Sequence, residues 1–445
     1  MQLSEASSPV KSISPHEFDG LMACLGPFEK HPDIAIACSG GPDSMALALL
    51  GNTWAASKGG SVTALIVDHG LRRESGEEAQ LVLQRLNVCG VQAVVLERGG
   101  GSILNDIQAK ARDARYGLMT KWCADHGVLH LLFGHHCMDQ VETLLLRMER
   151  GSGVYGLSGM AEIREAASIR ILRPLLSLPK ARLRATVNDF GVDVVNDPSN
   201  DNSKFDRVRI RRSLTESKSG PSIAKLYAMT ARMGTSRAAL EDAVADVLAR
   251  TCEIFPEGYC LLDWDTLVTA PLDVRHRALA RIMACIGGNS YTPRYKNLRN
   301  LDDILATGSL GGGRTLAGCQ ILRWKSKLLI CREPSAIQNA VKANGTVSWD
   351  GRYRIKVSGA PDGVVICKLG TVRLATCGGL LEKALIQKIP AAVRPSLPTL
   401  WRGEQLLTPH FTGSKDIEIE NSSDYRVQIT FAPRNPLTSA RFTFA

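Results

Sequence analysis

The chain has 445 residues, enough for roughly two to four domains, and is 44% hydrophobic and 22% charged, as a globular protein should be. No apolar run approaches the ~20 residues of a membrane span. The start, MQLSEASSPVKSISPHEF, has no apolar secretory segment, and the twelve cysteines lie singly with no CxxC pair. Together these exclude a membrane span, a signal peptide and a zinc knuckle, and fit reduced thiols in cytoplasm. The net charge of +10 at pH 7 points to a polyanionic partner, though weakly by itself.

Residues 1–33, with their Ser and Pro, read as a loose segment. From residue 34 four short apolar runs follow: IAIAC (34–38), SVTALIV (61–67), VQAVVLE (91–97) and VLHLLF (128–133). They are near-continuously apolar, as strands buried on both faces of a parallel sheet are. Helical patterns separate them, and ASIRILRPLL (167–176) reads as a further strand. The alternation predicts a doubly wound α/β domain, Rossmann-like, over 34–214. Ligands of such sheets lie beyond the carboxyl ends of the strands. Three of those ends are polar: CSGGPDS, DHGLR and GHHCMDQ.

The first, Ser39-Gly40-Gly41-Pro42-Asp43-Ser44, suits an anion. Gly40 and Gly41 allow positive φ and close approach of backbone to a ligand. The helix that follows presents unpaired N–H groups at its positive end, so loop and helix together make a phosphate cradle. Ser39 and Ser44 can add hydroxyl donors. Asp43 suits a Mg²⁺ riding on phosphate, or it simply caps the helix.

In GHHCMDQVETLLLRMERGSG, Asp139 and Glu142 share one face of a helix near its N-terminus. They can hold Mg²⁺, bind an ammonium group, or only favour the helix dipole. His135 and His136 can serve as acid–base groups, as metal ligands, or as packing at a strand end. In KARDARY, Arg112 and Arg115 share a helix face, as a phosphate contact or a solvated surface. In NDPSNDNSKFDRVRIRRSL (196–214), Lys204, Arg207, Arg209, Arg211 and Arg212 crowd a turn-rich stretch that could clamp nucleic-acid backbone or pyrophosphate. Beyond the linker-like SLTESKSGPS (213–222), a mainly helical domain is expected over 215–335 and a small β-rich domain over 336–445.

SGGPDS resembles the signature of the PP-loop ATP pyrophosphatases. With VDHGLR (67–72), ARDARY (111–116), GHHCMDQVETLLLRMERGSGVYGLSGM (134–160), RPLL (173–176) and DPSNDNSKFDRVRIRRSL (197–214), the series is similar to the tRNA(Ile)-lysidine synthetases. Looser similarity runs on through 318–333 and RGEQLLTPH (402–410). Two positions depart from the family: Met138 replaces the first of two adjacent acids, and Val208 replaces the Asn of RNRIR.

The resemblance implies a ligase using ATP and Mg²⁺, with tRNA(Ile) bearing a CAU anticodon and L-lysine as partners. Wobble cytidine is adenylated at its C2 oxygen, and the lysine ε-amine then displaces AMP. Ser39 to Ser44 would hold pyrophosphate and Asp43 its Mg²⁺. Arg112, Arg115 and Arg209 or Arg211 would neutralise charge at phosphorus, and Asp139 and Glu142 would bind metal or the lysine ammonium. A cytoplasmic protein is expected, with no membrane partner, and a homodimer is left open. A PP-loop tRNA thiolase, a small-molecule synthetase of the NAD or GMP kind, and a non-catalytic RNA-binding scaffold are the alternatives. Absence of CxxC speaks against the first, the basic later domains against the second, and the intact loop and acids against the third.

Overall fold

The computed structural model describes residues 10–68, 70, 75–97, 107–165, 169–195, 209–210, 222–289, 291–370, 389–407 and 426–438, with side chains omitted over 107–113. They divide into two compact units, one ending at Ala238 and the other starting at Ala239.

The first unit is built on a six-stranded sheet. Its strands are β1 (Asp33–Ala37), β2 (Ser61–Asp68), β3 (Gln92–Glu97), β4 (His130–Phe133), β5 (Ile163–Glu165) and β6 (Arg170–Leu172), in the order β3-β2-β1-β4-β6-β5. All neighbours are parallel except β5 on β6. The four expected runs hold β1 to β4 and ASIRILRPLL holds β6, and β1 is central because Ile34, Ala35 and Ile36 are buried on both faces. Ile34 pairs with Val62 on one side and His130 on the other. Strand order therefore reverses between β1 and β4, which places the ligand crevice beyond those two carboxyl ends.

Helices α1 (Pro15–Ala23), α2 (Pro42–Ser57), α3 (Ser75–Val88), α4 (Ile107–Asp125), α5 (Cys137–Glu149), α6 (Val154–Leu157) and α7 (Lys180–Asp189) complete this unit. Helix α2 is apolar all round its middle, with Ser44 through Gly51 buried. A Cβ on Gly51 would lie 2.7 Å from Cδ1 of Ile36, so this glycine lets α2 settle on β1. Part of the segment expected to be loose is packed: Phe18 and Met22 of α1 are buried in the same core. Glu17 of α1 also receives two hydrogen bonds from Arg182 of α7, at 2.6 and 2.7 Å. Its apolar i, i+4 pair and the partner for Glu17 are visible only once α7 is placed.

Helix α8 (Ile223–Thr251) runs through the unit boundary. In the second unit, β7 (Cys252–Phe255), β8 (Tyr259–Leu262), β9 (Arg314–Leu316), β10 (Cys319–Trp324) and β11 (Lys327–Arg332) form an antiparallel sheet, β7-β8-β11-β10-β9. Helices α9 (Trp264–Leu267), α10 (Leu272–Gly287) and α11 (Tyr295–Ala306) lie between β8 and β9 in sequence, and α10 buries Ala278, Leu279, Ile282, Met283 and Ile286 in the core it shares with that sheet. The helical stretch thus also carries strands, its apolar side being spent on them. Seven further strands follow: β12 (Val341–Lys342), β13 (Gly345–Trp349), β14 (Tyr353–Ser358), β15 (Val364–Lys368), β16 (Pro398–Arg402), β17 (Gln405–Leu406) and β18 (Arg426–Phe431). They pair as β12-β15-β16-β17 and β13-β14-β18.

A buried ionic cluster knits this unit. Asp350 accepts from Arg332 Nε at 2.9 Å and Nη2 at 2.8 Å, from Arg352 Nε at 2.8 Å and from the Gln338 amide at 3.0 Å. Both arginines are nearly inaccessible, so every charge is paired and hydrogen-bonded.

Candidate active site at the first strand–helix junction

The loop Cys38–Gly41 leaves β1 and enters α2 with Gly41 as N-cap and Pro42 in the first helical turn. Proline is preorganised there, since its missing N–H would have no partner in the helix. The two glycines have different reasons. Gly40 has φ +80°, and a Cβ on it would fall 2.3 Å from Cγ2 of Val82 on α3. Gly41 has an ordinary φ of −73°, and a Cβ there would meet only Ser39 Oγ at 3.9 Å. Packing therefore demands Gly40, whereas Gly41 faces open space where a ligand can approach the backbone.

The loop is latched from within. Ser44 Oγ donates to the Gly41 carbonyl at 3.0 Å and accepts from the Ser39 amide at 3.1 Å. Its one proton being used, the 3.3 Å contact between the Ser39 and Ser44 hydroxyls has Ser39 as donor. Both hydroxyls, expected to face a phosphate, are turned into the loop. Below them, burial pushes the Cys38 thiol up, so it stays neutral and adds no negative charge under the loop.

Asp43 projects from the first turn of α2. Its Oδ2 lies 3.5 Å from Nε2 of His136 and 3.7 Å from Nζ of Lys180, the first residue of α7. Its Oδ1 is buried and accepts no hydrogen bond from the described residues. Next to it, β4 ends at Phe133 and is followed by Gly134, where a Cβ would lie 2.8 Å from the Asp43 carbonyl oxygen. Only glycine permits that approach, and it delivers α5 to the loop.

His136 caps α5. Its Nδ1 accepts from the Met138 amide at 3.2 Å, while Asp139 Oδ2 accepts from the His136 amide at 2.9 Å. With Nδ1 an acceptor, the ring proton sits on Nε2, facing Asp43. His136 thus stands between two of the expected acids, Asp43 and Asp139, and its structural role is explicit. Asp139 is buried and Glu142 is fully so, both in the first turns of α5. Met138, the departure from the family pattern, packs with Val141, Leu144 and Leu226. Gln140 clamps the next loop by exchanging two hydrogen bonds with Met160, at 2.7 and 2.8 Å.

Asp68, ending β2, accepts from Ser75 at 2.6 Å and from the Gly70 amide at 2.9 Å. Arg115 is exposed on α4, and Arg209 is exposed beside buried Ile210. The side chain of Arg112 and residues Lys204, Arg207, Arg211 and Arg212 lie outside the described residues. Among the described residues no group of three or more His, Cys, Asp and Glu gathers as a metal cage. The donor set suits Mg²⁺ carried on phosphate, which takes one or two carboxylates from the protein, and Asp43 has a buried oxygen to give.

Lys180 was not legible from the sequence as a site residue. A signal existed: a lysine in the first turn of a helix opposes the helix dipole.

A PP-loop domain model matches residues 14–218. The tRNA(Ile)-lysidine synthase of Orientia tsutsugamushi (strain Boryong) is 32% identical over 345 residues, 75% of this chain and 77% of its own. The chain belongs to the tRNA(Ile)-lysidine synthase family. That of Ruegeria pomeroyi is 32% identical over 384 residues, 85% and 88% of the two chains. That of Bradyrhizobium diazoefficiens is 34% identical over 346 residues, 73% and 95%. The family match covers both units, and its PP-loop portion carries the junction described above. No described helix is long and apolar enough to cross a membrane.

Proposed function

We propose that this chain is a carbon–nitrogen ligase joining L-lysine to C2 of the wobble cytidine of tRNA(Ile) with a CAU anticodon, at the expense of ATP. The observation that carries the reading is the junction itself: an open Gly41, a helix N-terminus and an Asp43 with an unsatisfied buried oxygen, in a chain of this family.

In the first step the C2 oxygen attacks the α-phosphorus of ATP and pyrophosphate leaves. The loop Ser39 to Ser44 holds the departing phosphates by backbone amides and the dipole of α2. Asp43 would hold Mg²⁺, which supplies charge neutralisation on the polyphosphate when bound. Arg112, Arg115 and Arg209 are proposed to meet the negative charge that develops at phosphorus. In the second step the neutral ε-amine attacks C2, AMP leaves, and the amine gives up a proton. Asp139 and Glu142 are proposed to seat the lysine, their burial strengthening attraction for an ammonium. The later regions, 215–335 and 336–445, are proposed to grip the tRNA, in line with the excess of basic residues. An unpaired anticodon base is reached without opening a duplex.

The test is incorporation of labelled lysine into transcribed tRNA(Ile) with the CAU anticodon, with ATP and Mg²⁺, beside Asp43→Ala. Label that requires ATP and disappears in the variant supports the reading. Pyrophosphate release without lysine transfer would sink the choice of nucleophile and leave the ATP chemistry.

A further inference from the structure

We infer that Lys180 is a direct ligand of the ATP polyphosphate and carries charge of the departing pyrophosphate. This rests on the ATP-dependent reading above. Three observations bear on it. The Lys180 ammonium lies 3.7 Å from Oδ2 of Asp43, the carboxylate of the phosphate loop, with the lysine side chain 37% exposed. Lys180 opens α7, whose N-cap Pro179 provides no side-chain cap, so a positive charge sits at the positive end of a helix. That placement is locally unfavourable unless an anion faces it. The anion now facing it, Asp43, is not fully satisfied, since its Oδ1 is buried and accepts no hydrogen bond from the described residues.

A carboxylate is therefore holding a cation that a stronger anion can take. A polyphosphate seated on the loop offers more charge and more acceptor oxygens than one carboxylate. Phosphates held at the α2 N-terminus would lie near Asp43, which sits in that first turn, and so within reach of Lys180. The lysine stem is long and more than a third exposed, which leaves the ammonium room to turn from Asp43 to the phosphates. The exchange also leaves the Asp43 carboxylate for its own ligand. Lysine suits the task as a compact point charge.

The experiment compares the full-length wild type with Lys180→Gln and Lys180→Arg. Binding of inorganic pyrophosphate, and of a non-hydrolysable ATP analogue, is measured calorimetrically with Mg²⁺. tRNA-dependent pyrophosphate release is measured beside it. Lys180→Gln should weaken pyrophosphate binding tenfold or more and raise the KM for ATP while leaving the KM for tRNA unchanged. Lys180→Arg should recover most of the affinity, and thermal midpoints of all three should agree. Equal pyrophosphate affinity in wild type and Lys180→Gln overturns the proposal, whatever happens to lysine transfer. Weakened pyrophosphate binding in a chain that never modifies tRNA upholds Lys180 and overturns the function proposed above. If Lys180→Gln melts earlier, Lys180→Met, which keeps the stem, decides: affinity as in wild type overturns the proposal, and affinity lost upholds it.

Discussion

Two aspartates of this protein are held in opposite ways. Asp350 in the second unit has four donors within 3.0 Å, from two buried arginines and a backbone amide. Asp43 in the first unit has the His136 ring at 3.5 Å and the Lys180 ammonium at 3.7 Å on one oxygen, and no donor among the described residues on the other. A carboxylate whose lone pairs are all used can only hold a structure together. One left short of partners at a strand–helix junction is kept for something that arrives. Carboxylate burial by itself does not separate the two; the completeness of the hydrogen-bond shell does.

Removing each carboxylate is the first way to break the contrast. Asp350→Ala strands Arg332 and Arg352 in the interior and should cost about 3–5 kcal/mol of stability, read by denaturant unfolding. Asp43→Asn should lower tRNA-dependent pyrophosphate release by about 10²–10³-fold, as loss of a preorganised electrostatic contact does. Its unfolding midpoint should stay at the wild-type value. A large loss of stability from Asp43→Asn would place it with Asp350 and end the distinction. The adjacent glycines sharpen it further. Gly40→Ala should destabilise by about 1–3 kcal/mol, because the new methyl enters space already filled by Val82. Gly41→Ala should leave stability unchanged and weaken ATP binding, which calorimetry would report.

The smallest effect lies at Glu17, whose carboxyl the Arg182 hydrogen bonds hold below its ordinary value. A group lowered in the folded state stabilises above the unfolded pKa, about 4.3, and loses that contribution as pH falls through the lower folded value. Glu17→Gln should therefore melt slightly below wild type at neutral pH, with the gap closing in acid. A gap that widened in acid would reverse the sign and refute the assignment.

The sheet of the first unit was legible because each strand is apolar on both faces and ends in a polar cluster. Gly40, Gly41 and Asp43 were legible because turn chemistry is local. Asp139 and Glu142 were legible as a helical pair, but not that His136 would bridge Asp139 to Asp43, since that depends on which strands are neighbours. Lys180 lies far along the chain, in a segment with nothing unusual except its place at a helix start. The strands β7 and β8 were missed because each is only four residues long and the pair sits between two long helical stretches, although the Pro-Glu-Gly between them is a turn signal. Sequence reading reached what neighbours in the chain decide, and missed what neighbours in space decide.

The central position of β1 has a consequence for biogenesis. The strand pairs with β2 early, but its other edge waits for β4, Ile34 meeting His130. A nascent chain therefore exposes one side of its innermost strand until β4 has been made, a long-range closure of the kind that slows folding and invites misassociation. The loop that leaves β1 emerges from the ribosome before its histidine, its acid pair and the lysine that faces Asp43. A ribosome that stalls between β4 and α7 would release a chain with the cradle glycines in place and its cation still unmade.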